Sequence, residues 1–280
     1  MTHIVASDGV KIAYHQWGRR DRSPVLMIQG LGMDARGWAL QRGSFGRRHR
    51  CVAPDNRGTG FSDVPPGPYD LLRMAKDAVE VLDELEIERA HVVGASMGGV
   101  IAQIIGVLHP ERVRSLTLAC TACHHHEWRR ELLQEWADVV AARGMSAMAE
   151  DNGMRWLIGP RLQRRWGVWI NVLARVLMQT KPEPFVAQVQ AILGARDELR
   201  HELPRVTAPT LVITGSQDTL TPVGDAEELA ELIPNSRLLV LSGAAHGLMA
   251  ETPNAFNEAV LRFIDEVDAA AAPSAAHESA

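Results

Sequence analysis

Long apolar runs are missing from this 280-residue chain. No segment approaches the roughly 18 uninterrupted apolar residues expected of a membrane-spanning helix. The opening "MTHIVASDGVKIAYHQWG" has no basic stretch followed by an apolar one and a small-residue cleavage site, so it does not read as a secretory leader. Cysteine is scarce: three residues, an odd number, cannot build a disulfide framework and suit a reducing compartment. Excess positive charge is also absent. A formal net charge of -5 leaves no electrostatic footprint for nucleic acid or an anionic membrane. These absences predict a cytoplasmic protein with neither nucleic-acid nor membrane partners.

What remains is ordinary for a globular chain: 46% hydrophobic and 22% charged residues. At this length about 75% of the unfolded surface can be buried, enough for one sizeable core. Short runs rich in Val, Ile and Leu recur at "VLMIQG" (25–30), "RCVAPD" (50–55), "HVVGAS" (91–96), "SLTLAC" (115–120), "TLVITG" (210–215) and "RLLVLSG" (237–243). Each is too short for a helix and apolar on both faces, as expected of strands covered above and below. Segments with helical period lie between them, such as Leu71, Leu72, Met74, Ala75, Ala78, Val79, Leu82 and Leu85. Alternating strands and helices predict an α/β fold, a mostly parallel sheet with helices on both sides. The N-terminal segment reads as a hairpin turning at Ser7, Asp8 and Gly9, giving the sheet an antiparallel edge.

The alternation stops between about 121 and 205. Two amphipathic patterns stand there: Trp128, Leu132, Leu133, Trp136, Val139 and Val140, then Leu162, Trp166, Trp169, Ile170, Leu173, Val176 and Leu177. Their spacing predicts a helical insertion. Arg129, Arg130, Arg161, Arg164 and Arg165 fall opposite the apolar stripes and read as solvated. The expected organisation is a core of 1–120 and 206–267, an inserted unit of 121–205, and a frayed Ala, Pro and Ser-rich tail of 268–280.

"HVVGASMGGVIAQIIG" (91–106) places Ser96 in a G-x-S-x-G pattern between an expected strand and an expected helix, the setting of a nucleophile elbow. The glycines relieve crowding at the turn. The helix N-terminus behind the serine favours negative charge, making the amide of Met97 a donor to an oxyanion. The bland alternative is a serine that only caps the helix. A serine nucleophile needs a histidine base held by an acid. Of eleven histidines, His3, His15, His49 and His109 read as structural or surface residues. His246 lies in "SGAAHGLMAETP", directly after the last strand run. Asp218 lies in "TLVITGSQDTLTP", three residues beyond another. Asp225 fits a first-turn helix carboxylate better than the acid. "CTACHHHEW" (120–128) could in principle bind zinc through Cys120, Cys123 and two of His124, His125 and His126, but its expected place at a strand end argues against a metal site.

"VLMIQGLG", "CVAPDNRGTGFSD", "VVGASMGG", "GSQDTLTP" and "GAAHG" together resemble the α/β-hydrolase superfamily over roughly 10–266. The resemblance implies an α/β-hydrolase fold, the chain order Ser96, Asp218, His246 for the triad, and the amide of Leu31 as the second oxyanion donor. It makes residues 121–205 a helical cap, with Gln29, Trp128, Trp136, Trp166 and Trp169 as candidate substrate contacts. Gln29 stands where many relatives have histidine, and Asp55, Arg57 and Ser62 stabilise a turn. The expected activity is cofactor-free and metal-free serine hydrolysis of a small-molecule apolar ester or lactone. The alternatives are C–C bond or enol-lactone hydrolysis by the same triad, or a noncatalytic ligand-binding relative. Serine at the elbow argues against epoxide hydrolase and dehalogenase chemistry, which ordinarily use aspartate there.

Overall fold

The computed structural model describes residues 2–150, 153–165, 180–195 and 198–271. Eight strands form one sheet in the order β1-β2-β4-β3-β5-β6-β7-β8. They are β1 (Thr2–Val5), β2 (Lys11–Gly18), β3 (Pro24–Ile28), β4 (Arg50–Pro54), β5 (Ala90–Ala95), β6 (Val113–Ala119), β7 (Thr210–Gly215) and β8 (Ser236–Leu241). The first two pair antiparallel, as the hairpin pattern requires, and β2 runs antiparallel to β4. Every other pairing is parallel.

Strand alternation explains why the central runs are apolar throughout. Val25 and Met27 of β3 join one layer with Trp38, Phe45 and Phe256, whereas Leu26 and Ile28 join the opposite layer with Met74 and Ile101. Five helices cover the sheet: α1 (Ala39–Gly46), α2 (Leu71–Glu84), α3 (Met97–Leu108) and, after the insertion, the two helices Val223–Leu232 and Pro253–Ala271. α3 is buried from Met97 to Val107, which suits a helix running directly behind the central strands.

Between β6 and β7 the described chain is helical. α4 (Glu127–Arg143) and α5 (Pro182–Leu193) are its longest described elements, with short helices at Ser146–Glu150, Met154–Leu157 and Glu198–Glu202. α5 was not singled out by the sequence pattern, although Pro182 at its first turn is a recognised start signal. We number the two helices that follow β7 and β8 as α6 (Val223–Leu232) and α7 (Pro253–Ala271). α7 runs four residues past the expected boundary at 267 and corrects it. Asp268 is the reason: its carboxylate accepts from Ser23 Oγ at 2.6 Å and meets His91 Nε2 at 2.9 Å, tying the last turn to the sheet. Among the described residues no helix is long and apolar enough to cross a membrane.

The same end of the sheet carries an acid-sensitive group. His49 is 3% exposed, and burial, reinforced by the neighbouring His91, pushes its imidazole down from 6.5 to about 4. The unfolded chain therefore binds more protons than the folded one in that interval. The contribution is fully present above pH 6.5 and is lost as pH falls toward 4. We expect His49→Gln to flatten the decline in melting temperature between pH 6.5 and 4, measured by thermal unfolding across that range; an unchanged slope contradicts the assignment.

Candidate active site

The carboxyl ends of the parallel strands converge on one edge, where an open α/β sheet places its site. Ser96 follows β5 directly. Its backbone adopts φ 54°, ψ -120°, a conformation costing a non-glycine residue on the order of 1–3 kcal/mol. Both flanking peptide groups are fixed. Ser96 N donates to Ala119 O at 2.9 Å, and Ser96 O accepts from Thr121 Oγ1 at 2.8 Å. Close packing dictates glycine nearby: a Cβ on Gly98 would lie 2.2 Å from Ile28 O. The side chain of Ser96 makes no capping hydrogen bond to α3, so the hydroxyl is left for other work.

That hydroxyl lies 3.0 Å from His246 Nε2. On the other side of the imidazole, His246 Nδ1 is 2.9 Å from Asp218 Oδ2 and 3.2 Å from Oδ1. Asp218 is fastened in turn by the amides of Leu220 (3.0 Å) and Thr221 (2.9 Å) and by Thr221 Oγ1 (2.8 Å). Burial alone raises a carboxyl pKa, but attraction to His246 and these donors outweigh it and hold Asp218 below its ordinary 3.8. Three side chains separated by 28 and 150 positions in sequence thus form one hydrogen-bonded line.

The loop after β3 passes over the serine: a Cβ on Gly30 would stand 3.0 Å from Ser96 Cβ. The amides of Leu31 and Met97 donate to no acceptor among the described residues. Both residues line an apolar cavity of about 350 Å³ that also touches Ser96 and His246. Such a size suits a small organic ligand. The insertion supplies much of the wall, including Leu133, Trp136, Leu157 and Phe185.

A family model described as alpha/beta hydrolase fold matches residues 23–145, and one described as TAP-like protein matches residues 192–272. The chain is 32% identical over 257 residues to 3-oxoadipate enol-lactonase 2 of Acinetobacter baylyi, covering 92% of this chain and 94% of that protein. The chain belongs to the α/β-hydrolase family. Among solved structures, a hydrolase from Pseudomonas aeruginosa is similar at a TM-score of 0.86 and 32% identity, covering 94% of this chain and 97% of that one. The enol-lactonase of Burkholderia xenovorans is similar at 0.87 and 28% identity, covering 94% of this chain and all of that one (100%).

Within this α/β-hydrolase the other expected contacts divide. Gln29 lines the cavity at 4% exposure, and its Nε2 has no partner among the described residues. Trp136 also lines it. Trp128 does not: it is 39% exposed and stacks on Trp156 with ring centroids 6.1 Å apart, which corrects its assignment. Trp166 and Trp169 lie outside the described residues. Arg129 is corrected too, being buried in the cavity wall rather than solvated. Its guanidinium pairs with Asp225 on the first turn of α6, and burial raises that carboxyl although Arg129 pulls it down. Asp55 accepts from the amides of Ala35 and Phe61, each at 2.9 Å, and Ser62 Oγ donates to Asp55 O, so this turn is structural as expected. His125 reaches the cavity. The Cys123 thiol is pushed up to about 12, chiefly by burial, and Cys120 is raised well above its ordinary value for the same reason. Among the described residues no three His, Cys, Asp or Glu side chains cluster in metal-ligating positions.

Two supporting residues escaped the sequence reading. Gln188 of α5 accepts from Gly32 N at 2.9 Å and donates to Arg57 O at 3.0 Å, anchoring the loop that carries Leu31. Glu251 accepts from Ala245 N and Gly159 N, each at 3.2 Å, linking the His246 loop to the insertion. An oxyanion role for the Leu31 amide predicts that Gln188→Leu lowers kcat about 10- to 100-fold with a smaller change in KM, since displacing that amide would weaken charge stabilisation rather than ground-state binding. Steady-state kinetics alongside melting temperature checks this; equal losses in folded fraction and rate point to a purely structural role.

Proposed function

We propose that the protein is a serine hydrolase that cleaves a carboxylic ester or lactone of a largely apolar substrate through an acyl-enzyme. The observation that carries this reading is the 3.0 Å approach of Ser96 Oγ to an imidazole already held by Asp218, at the wall of an apolar cavity beside two amides with no acceptor among the described residues. His246 Nε2 takes the hydroxyl proton as Ser96 Oγ bonds to the carbonyl carbon. Asp218 keeps the ring in the tautomer whose Nε2 can accept, and stabilises the imidazolium. The amides of Leu31 and Met97 receive the developing oxyanion, each worth about 3 to 4 kcal/mol. The intermediate collapses, the alkoxide leaves with the proton from His246, and water activated by the same imidazole releases the acid. For a lactone the leaving alcohol stays attached to the acyl group.

Nucleophile, base and oxyanion donors all come from the chain, so the mechanism calls for no cofactor. The inserted helices act as the cap that shapes the acyl pocket, with Gln29 and Trp136 among the substrate contacts. Relatives named enol-lactonases favour a lactone within this range of substrates. Rapid mixing with p-nitrophenyl esters tests the covalent step: the reading expects a burst of about one p-nitrophenol per site before the steady state. A folded enzyme with no burst and no turnover across esters and lactones, yet with ligand binding, would favour a noncatalytic relative.

A further inference from the structure

The described lining of the cavity beside Ser96 is apolar nearly throughout, yet one guanidinium stands in it. Arg129 of α4 is 1% exposed and is the only Arg, Lys, Asp or Glu among the described lining residues. A lone cation in an apolar cavity suggests an anchor for an anionic substrate, but its partners argue otherwise. Nη2 donates to Asp225 Oδ2, and Nη1 donates to His124 O at 2.9 Å. The Trp128 ring covers the guanidinium at 5.0 Å. Asp225 is itself 5% exposed, and its other oxygen lies 3.8 Å from His126 Nε2. A carboxylate is held best by two parallel N–H groups of one guanidinium. Here both terminal nitrogens are engaged and the charge is balanced within the wall. Nε has no acceptor among the described residues, so it offers a ligand one N–H rather than the parallel pair that holds a carboxylate best.

We propose that Asp225 is a specificity-determining residue: by neutralising Arg129 it makes the cavity select acyl groups with an uncharged tail and reject those whose tail ends in a carboxylate. The proposal rests on the hydrolase reading above. A second carboxylate brought to this wall would be desolvated with the single Nε–H of Arg129 as its free partner among the described residues and would meet the like charge of Asp225 in a medium of low dielectric. Removing the charge of Asp225 would move that preference toward the carboxylate, leaving a buried cation to be balanced by the substrate.

Two p-nitrophenyl esters of matched shape test this at pH 8: the 6-methylheptanoate and the monoester of adipic acid, in which a carboxylate replaces the terminal isopropyl group. Wild type should favour the neutral ester at least tenfold in kcat/KM. Asp225→Asn should shift the ratio toward the carboxylate ester at least fivefold, and adding Arg129→Gln should return it to within threefold of wild type. A wild-type preference for the carboxylate ester, or a shift below fivefold in Asp225→Asn, overturns the proposal. Should Asp225→Asn fail to fold, Arg129→Met must sharpen rejection of the carboxylate ester fivefold or more, and a smaller change overturns the proposal equally. Binding of both esters to Ser96→Ala, read by tryptophan fluorescence, ranks them without turnover. Absent hydrolysis in wild type therefore counts against the hydrolase reading alone, while equal binding counts against the role of Asp225.

Discussion

Ser96→Ala should lower kcat by on the order of 10⁴ or more and abolish the burst, while the melting temperature stays near that of wild type. The kinetic loss follows from removing the one oxygen placed 3.0 Å from His246 Nε2. Residual turnover of about 10³ over the uncatalysed rate is expected from the oxyanion donors and binding. Stability should change little because Ser96 makes no side-chain bond to its own helix, and the hydrogen bond lost to His246 is worth about 1 kcal/mol. The capping alternative predicts the reverse pattern: a stability loss of about 1 kcal/mol with turnover intact. Comparing single-turnover rates with thermal unfolding of the same preparation separates the two.

Asp218→Asn should cost about 10⁴ in kcat with a modest effect on KM, through tautomer choice rather than lost contact. Asparagine keeps the shape and can still accept from the amides of Leu220 and Thr221. Its amide N–H, however, can face His246 Nδ1 and drive the ring proton to Nε2, the atom that must accept from Ser96. In wild type the carboxyl lies below 3.8, so its stabilising charge is present above that pH and is lost only as pH falls below it. A variant that retains more than a tenth of wild-type kcat contradicts this role for Asp218.

The sheet was legible because parallel strands covered on both faces spell continuous apolar runs, and the elbow because glycine is forced where backbones meet. Ser96, Asp218 and His246 could be aligned from loop positions alone, since each follows a strand run at the same sheet edge. The insertion is less legible in the sequence for a physical reason. Hydrophobic periodicity treats arginine as solvent-facing, and a buried pair such as Arg129 with Asp225 defeats that rule; the two residues lie 96 positions apart. Trp128 failed in the opposite sense: an aromatic on an apolar stripe found its partner in Trp156 at the surface rather than in the cavity. Gln188 and Glu251 carry no local signature either, because their function lies in bonds spanning 156 and 92 positions. Asp268 stands at the start of a tail of low-complexity composition, and only the folded sheet reveals its attachment to Ser23 and His91.

Intact-mass and peptide analysis after brief exposure to a fluorophosphonate probes the nucleophile most directly. One adduct per chain, located on Ser96, absent from Ser96→Ala and suppressed by a competing apolar ester, is the predicted result. A folded wild-type protein that takes up no adduct, or takes it up at another residue, contradicts it.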